Sequence, residues 1–397
     1  MRKNQLQVLK RNVEKRQEEN HPDAIKQREF EKQMEELAMS EQIDNVHAKI
    51  RATKERSEKI QNTILYTHIF DDVEVDVKRD MREGIDGGRN DDKVIQYLEV
   101  IKHQDPKINV IPTMNAVSGL VKLKEQFPNF IQVIDFLVKY TTFKALKGEP
   151  IKIPPINLQG EPGIGKTYFS QKIAEALGTE QLNIDISQLM SAHELLGLSS
   201  RWADPEIGII LSRLFEDTQY AQPIVLIDEL CRAPKGAGKT PSLYNAMLKI
   251  LDQKTSKKVK DNFLDIHYDA SNPIYISTTN NWEELPEALK SRITNFNIEK
   301  PNDEEYTVII NHIYRELLEA HNVTYNFQKY LNEDVIMLLA KTDLRTARSI
   351  IESSVITCFL RMSKKGRKKK FAVSVEDIKN NHSHIIEGKK KRTMGFI

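Results

Sequence analysis

Long apolar runs are missing from this 397-residue chain. No stretch approaches the roughly eighteen consecutive apolar residues that a spanning helix needs, so no helical membrane span is expected. The N-terminus is charged and has no apolar segment behind it, so no secretory leader is expected. Cysteine is scarce: Cys231 and Cys358 are the only two, far apart and without metal-ligand spacing. Their scarcity fits a reducing cytoplasm. Charge of one sign is also lacking, with 59 Lys and Arg against 57 Asp and Glu, a formal +2. That balance argues against a dedicated DNA binder. What remains is 29% charged and 39% hydrophobic, which suits a soluble globular protein with a charged extension. Its length leaves room for two or three domains.

One segment carries more chemistry than any other. Gly160-Glu161-Pro162-Gly163-Ile164-Gly165-Lys166-Thr167 fits G-x-x-x-x-G-K-[ST] at every fixed position. The apolar Ile156-Asn157-Leu158 precedes it and a helical pattern, Tyr168 to Leu177, follows. Strand, glycine loop and helix in that order are the context a phosphate loop needs. The glycines let consecutive backbone N–H groups face phosphate oxygens, and the new helix adds its positive end. Lys166 is expected to reach the β- and γ-phosphates, and the Thr167 hydroxyl to bind Mg²⁺.

Hydrolysis needs a carboxylate for the metal shell and a base for water. Pro223-Ile224-Val225-Leu226-Ile227-Asp228-Glu229 supplies both at the end of an apolar, mostly β-branched run that reads as a buried parallel strand. Asp228 is expected to hold Mg²⁺ and Glu229 to polarise the attacking water. A third apolar segment, Ile274-Tyr275-Ile276, runs into Ser277-Thr278-Thr279-Asn280-Asn281. Asn280, at that strand tip, is the expected water-positioning amide. Gly236-Ala237-Gly238-Lys239-Thr240 imitates a second phosphate loop. Its first glycine would fall at Ala233 and no strand precedes it, so it reads as a surface loop.

Together these segments resemble the AAA+ ATPases, and in particular the ATPase module of Lon proteases. Asn245-Ala246-Met247-Leu248-Lys249-Ile250-Leu251-Asp252 is similar to the Lon helix after the acid strand. Phe263-Leu264-Asp265-Ile266-His267-Tyr268-Asp269 is similar to its "YLEVDYD" segment. Asp228-Glu229-Leu230-Cys231-Arg232-Ala233-Pro234 is closer to MoxR-type AAA+ proteins. By resemblance, Leu285-Pro286-Glu287-Ala288-Leu289-Lys290-Ser291-Arg292 carries the arginine finger, Arg292, supplied to a neighbouring subunit. Asp343-Leu344-Arg345 places the second sensor arginine at Arg345, with Arg348 one turn on as the alternative. Glu194-Leu195-Leu196-Gly197, Arg201-Trp202 and Gly208 align with the Lon pore loop, so Trp202 is expected to grip a polypeptide.

The first sixty-odd residues are rich in Lys, Arg, Glu and Gln, with apolar residues at helical spacing: Leu6, Leu9, Val13, then Phe30, Met34, Leu37, then Ile43, Val46, Ile50. Residues 1–83 are read as a helical, coiled-coil-like arm and 84–114 as a linker with a short helix. Residues 115–300 are read as an α/β AAA+ core with a parallel sheet, and 301–397 as a helical lid with a basic tail. Ser374 is expected to cap the last helix. Two basic runs, 364–370 and 389–392, could touch nucleic acid or acidic protein. No peptidase motif follows the lid, so proteolysis is not expected of these residues.

The resemblance therefore implies a cytoplasmic, Mg-ATP-hydrolysing motor that acts on polypeptides as a homo-oligomeric ring, most simply a hexamer. A separate protease or effector could work beside it, and no membrane partner is expected. Two other readings stay open: a nucleic-acid motor or loader, and a nucleotide-gated scaffold subunit of a larger complex, for example in defence.

Overall fold

The computed structural model describes residues 65–83, 90–234, 242–363 and 370–379. The arm's expected helices before residue 65, the glycine-lysine loop at 236–240 and nearly all of both basic runs lie outside them.

The described chain opens with β1 (Tyr66–Thr67), α1 (Asp72–Glu83) and α2 (Asp91–Lys102), and β2 (Lys107–Ile108) pairs antiparallel with β1. In α2 the buried residues Val94, Leu98 and Ile101 recur at helical spacing and face the core. Two longer helices follow, α3 (Met114–Gln126) and α4 (Ile131–Lys147). Then come β3 (Ile156–Gln159), α5 (Lys166–Leu177), β4 (Gln181–Asp185), α6 (Ala192–Leu196), α7 (Ile209–Glu216) and β5 (Ile224–Asp228). Next are α8 (Leu243–Leu251), an antiparallel hairpin of β6 (Val259–Asp261) and β7 (Ile266–Tyr268), then β8 (Ile274–Thr279), α9 (Glu287–Lys290) and β9 (Thr294–Asn297).

Five strands make one parallel sheet in the order β4-β5-β8-β3-β9. The strand β5 shows why the acid segment is apolar throughout. Val225 and Ile227 join the core beneath α2, α6, α7 and α8, whereas Ile224 and Leu226 join the core under α3, α4 and α5. Successive side chains point to opposite faces. Helices cover both faces, so both sets must be apolar. From β3 the chain crosses through α5 to β4 at the far edge, while β9 lies on the other side of β3. The carboxyl ends of β3 and its neighbour β8 therefore border a topological switch point, where open α/β sheets bind ligands.

A helical unit follows: α10 (Asp303–Ala320), α11 (Glu333–Leu339) and α12 (Leu344–Ser363). It has its own core, with Ile310, Tyr314, Leu317, Leu339, Ile351 and Cys358 fully or almost fully buried. A capping box starts α10: Asn302 and Glu305 exchange side chain-to-backbone hydrogen bonds, each 2.9 Å. Ser374 accepts from the Asp377 N–H at 3.3 Å and so caps the final helical turn, as expected.

One boundary moves. The arm was drawn to residue 83, but the compact unit begins at Ile64. Val75 on α1 is buried in the core. Glu74 bonds His267 at 2.8 Å, Lys78 pairs with Asp265, and the Asp269 N–H donates to the Ile69 carbonyl at 2.8 Å. Residues 65–83 thus pack on the β6–β7 hairpin through buried Val75 and these polar contacts, while Val73, Val77 and Met81 of α1 stay exposed.

Candidate active site

The glycine loop leaves β3 and ends at α5, where Gly165 takes φ +96°, a left-handed value that glycine adopts without steric cost. That turn directs the Lys166 side chain back under the loop. Its ammonium donates to the carbonyls of Gly160 at 2.6 Å and Glu161 at 3.0 Å, and to Asn280 Oδ1 at 3.2 Å. Burial pulls its pKa down, and the acids Asp228 and Glu229 partly offset this. A desolvated cation held by neutral acceptors is poised to exchange them for phosphate oxygens.

The acids converge from the adjacent strands. The Thr167 hydroxyl donates to Asp228 Oδ2 at 3.4 Å. Thr278 on β8, a residue that motif reading passed over, holds both acids. Its hydroxyl donates to Asp228 Oδ1 and accepts from the Glu229 N–H at 2.9 Å. Glu229 sits at φ +57°, uncommon for a residue with a side chain. Its carboxylate pairs with Arg232 at 2.7 Å. A signal for Thr278 did exist: the completely buried strand β8 ends in the polar run Ser277-Thr278-Thr279. Polar groups in a core strand need partners.

The helical unit closes the other side. Arg345 and Arg348 both line a cavity of about 440 Å³ with Lys166, Thr167, Asp228, Glu229 and Asn280. Asp343 reaches the glycine loop so closely that a Cβ at Gly163 would lie 3.1 Å from its own. Arg348 pairs with Glu316 of α10 at 2.8 Å and lies over the Tyr168 ring, 5.6 Å from its centroid. The Tyr168 hydroxyl also donates to Glu316. Burial, with that carboxylate, pushes Tyr168 up to about 12. Among the described residues, Arg345 has no ion pair.

Two expected site residues lie elsewhere. Arg292 is not at its own chain's cavity. Its Nε donates to Asp252 at 3.1 Å and its Nη1 to the Ala288 carbonyl at 2.8 Å. Trp202 stands 64% exposed on the loop between α6 and α7. The Asn90 amide donates to the carbonyls of Ser200 at 2.9 Å and Trp202 at 3.1 Å. Gly160 and Glu161 contribute their carbonyls beneath the loop, and the Glu161 carboxylate pairs with Lys300 at 2.7 Å.

The residues fit a nucleoside triphosphate with Mg²⁺. Pro162, Gly163, Ile164 and Gly165 line the cavity beside Lys166, while Phe127, Tyr168, Ile309 and Ile313 make another part of its wall apolar. Gln126, also on that wall, has a buried Oε1 with no hydrogen-bond partner among the described residues. Thr167 and Asp228 form the hydroxyl-and-carboxylate oxygen pair that Mg²⁺ prefers.

Residues 156–301 match the model of the "ATPase family associated with various cellular activities (AAA)". The chain is 28% identical over 207 residues to Lon protease 2 of Bdellovibrio bacteriovorus, covering 52% of this chain and 25% of that protein. It is 32% identical over 178 residues to Lon protease of Flavobacterium johnsoniae, covering 44% and 21%. It thus spans about a quarter of the length of these relatives. The fold is shared with Hsp104 in the S. cerevisiae Hsp104–casein complex, at TM-score 0.51 and 18% identity over 64% of this chain and 49% of that one. The chain carries an AAA+ ATPase module at residues 156–301 that is similar to the ATPase region of Lon proteases.

Proposed function

We propose that this chain is an Mg-ATP-driven motor that works in a closed ring, most simply a hexamer, and pulls on polypeptides. One observation carries the reading. Lys166, Thr167, Asp228, Glu229 and Asn280 meet at one cavity that the helical unit closes with two arginines.

The residues divide the work as follows. Gly163, Ile164 and Gly165 offer backbone N–H groups to the triphosphate, and Lys166 exchanges loop carbonyls for phosphate oxygens. Thr167 and Asp228 hold Mg²⁺, which supplies charge neutralisation when bound. Glu229 leaves Arg232 and takes a proton from the attacking water. That exposed ion pair is worth only about 0–1 kcal/mol, so its release costs little. Asn280 orients the water. Arg292 lies away from its own cavity, which is where a residue serving a neighbour's site would be. It would lend its charge across the subunit boundary, so that turnover depends on assembly. Arg345, at the start of α12, follows the phosphates and draws the helical unit down as a lid. Trp202 grips the substrate chain.

Complementation tests the assembly. Lys166→Ala and Arg292→Ala should each lose ATP turnover by at least about a hundredfold. Coexpressed in equal amounts, roughly a quarter of the boundaries by random mixing join an intact Lys166 to an intact Arg292. Turnover should return in that proportion. Mixed particles as inactive as the single variants would refute a shared site.

A further inference from the structure

Trp202 belongs to a loop that runs from Gly197 to Gly208 and closes at its base, where the Leu198 N–H donates to the Glu206 carbonyl at 2.9 Å. Beneath that base lies Asp261, the last residue of β6, with no exposed surface. Its Oδ2 accepts from the Gly208 N–H at 2.8 Å. Its Oδ1 accepts from the N–H groups of Phe263 at 3.0 Å and Leu264 at 2.9 Å. The other loop end touches the same carboxylate. Gly197 has φ +81°, and a Cβ there would fall 2.7 Å from Oδ2. Next along, the Asn262 N–H donates to the Leu196 carbonyl at 2.8 Å and its amide to the Gly197 carbonyl at 3.2 Å.

Burying a carboxylate is costly unless hydrogen bonds compensate. Burial pushes Asp261 up to about 6, against three backbone N–H groups that favour its ionised form. An apolar residue would fill the space without that cost. It would also leave the three N–H groups without their acceptor, and those groups belong to the loop end and the β6–β7 turn.

We propose that Asp261 is the positioning residue of the Trp202 loop: its carboxylate bonds the Gly208 end and packs against Gly197, whose carbonyl Asn262 holds, so that both loop ends stay on the β6–β7 hairpin and load on Trp202 passes to the core instead of opening the loop. This rests on the reading of Trp202 as the residue that grips polypeptide.

The test uses the full chain with Trp282→Phe, which leaves Trp202 as the only one of two tryptophans. Asp261→Asn places an amide donor among N–H donors, Asp261→Ala removes the acceptor, and Gly197→Ala drives a methyl into the carboxylate. Each should raise acrylamide quenching of Trp202 up to about one and a half times the parent value, the room that its 64% exposure leaves. Each should also abolish stimulation of ATP turnover by casein, with basal turnover and the KM for ATP kept within about twofold of the parent. Should Asp261→Ala fail to fold, the two milder variants decide. Unchanged quenching in both Asp261→Asn and Gly197→Ala overturns the proposal. If quenching rises in them while Trp202→Ala keeps its casein stimulation, the pin stands and the gripping reading falls.

Discussion

Glu316→Ala probes the lock between the helical unit and the phosphate-loop helix. The Glu316 carboxylate accepts from the Tyr168 hydroxyl, pairs with Arg348 at 2.8 Å and lies 3.4 Å from Lys172. Removing one partner of a buried pair costs about 3–5 kcal/mol, whereas an exposed pair is worth about 0–1. The Glu316 side chain is 24% exposed and that of Arg348 39%. Solvent therefore screens the pair substantially, and the loss should be about 1–2 kcal/mol. That corresponds to a fall of about 2–8 °C in thermal midpoint. The pH dependence separates lost charge from lost packing. Burial alone would raise the Glu316 pKa, but the Tyr168 hydroxyl and the Arg348 and Lys172 cations outweigh it and hold it below its ordinary 4.5. A group depressed on folding stabilises above its unfolded pKa and loses that contribution as pH falls through the folded value. Thermal melts should show the full gap between parent and Glu316→Ala at neutral pH, narrowing once the pH drops below about 4.5. A gap of constant size down to about pH 3 would show that packing, not charge, held the helical unit, and would refute the reasoning.

Glu229→Gln keeps the shape of the site but removes the base. ATP turnover should fall by about 10²–10⁴ while titration with a fluorescent nucleotide shows nearly unchanged affinity. Retained turnover within about tenfold would take Glu229 out of that role. The two cavity arginines should separate cleanly. Arg345→Ala should weaken ATP binding by about tenfold or more without lowering the melting point, since no ion pair among the described residues is lost. Arg348→Ala should mainly lower the melting point, through its pair with Glu316. The reverse pattern, read by the same titrations and melts, would exchange their assignments.

Much of the site was legible because its chemistry lies in contiguous residues. The loop from Gly160 to Thr167 must be glycine-rich to turn and must end in lysine and a hydroxyl residue. No distant residue is needed to recognise it. The acid strand was legible for a different reason. A strand covered on both faces reads as an unbroken apolar run, so Asp228 and Glu229 stand out at its end. What could not be read were partners far apart in the chain. Tyr168 meets Glu316 across 148 positions and Glu229 meets Thr278 across 49, and no periodicity records such pairs. The choice between Arg345 and Arg348 was open for the same reason, since only the position of α10 shows that Arg348 is already paired. The boundary at residue 83 failed because α1 is as charged as the arm before it. Its attachment depends on Val75 and on partners almost two hundred residues away.

The same long-range contacts connect the two ends of the proposed motor. Thr278 ties both acids to the tip of β8. The start of β8 is braced by the Tyr275 hydroxyl, which donates to the Ala270 carbonyl at 2.8 Å. Ala270 lies two residues past the β6–β7 hairpin, and that hairpin carries Asp261 under the Trp202 loop. A single stretch, 259–280, therefore touches the acids at one end and the exposed tryptophan's loop at the other. Between them lie the β6–β7 turn, β7, the connection 269–273 and β8, whose six residues are all buried. Coupling between distant sites needs a contiguous element that both can bias. In the proposed motor this stretch links the two without passing through the helical unit, so hydrolysis-driven movement of Trp202 and nucleotide-driven closure of the lid would be separable motions.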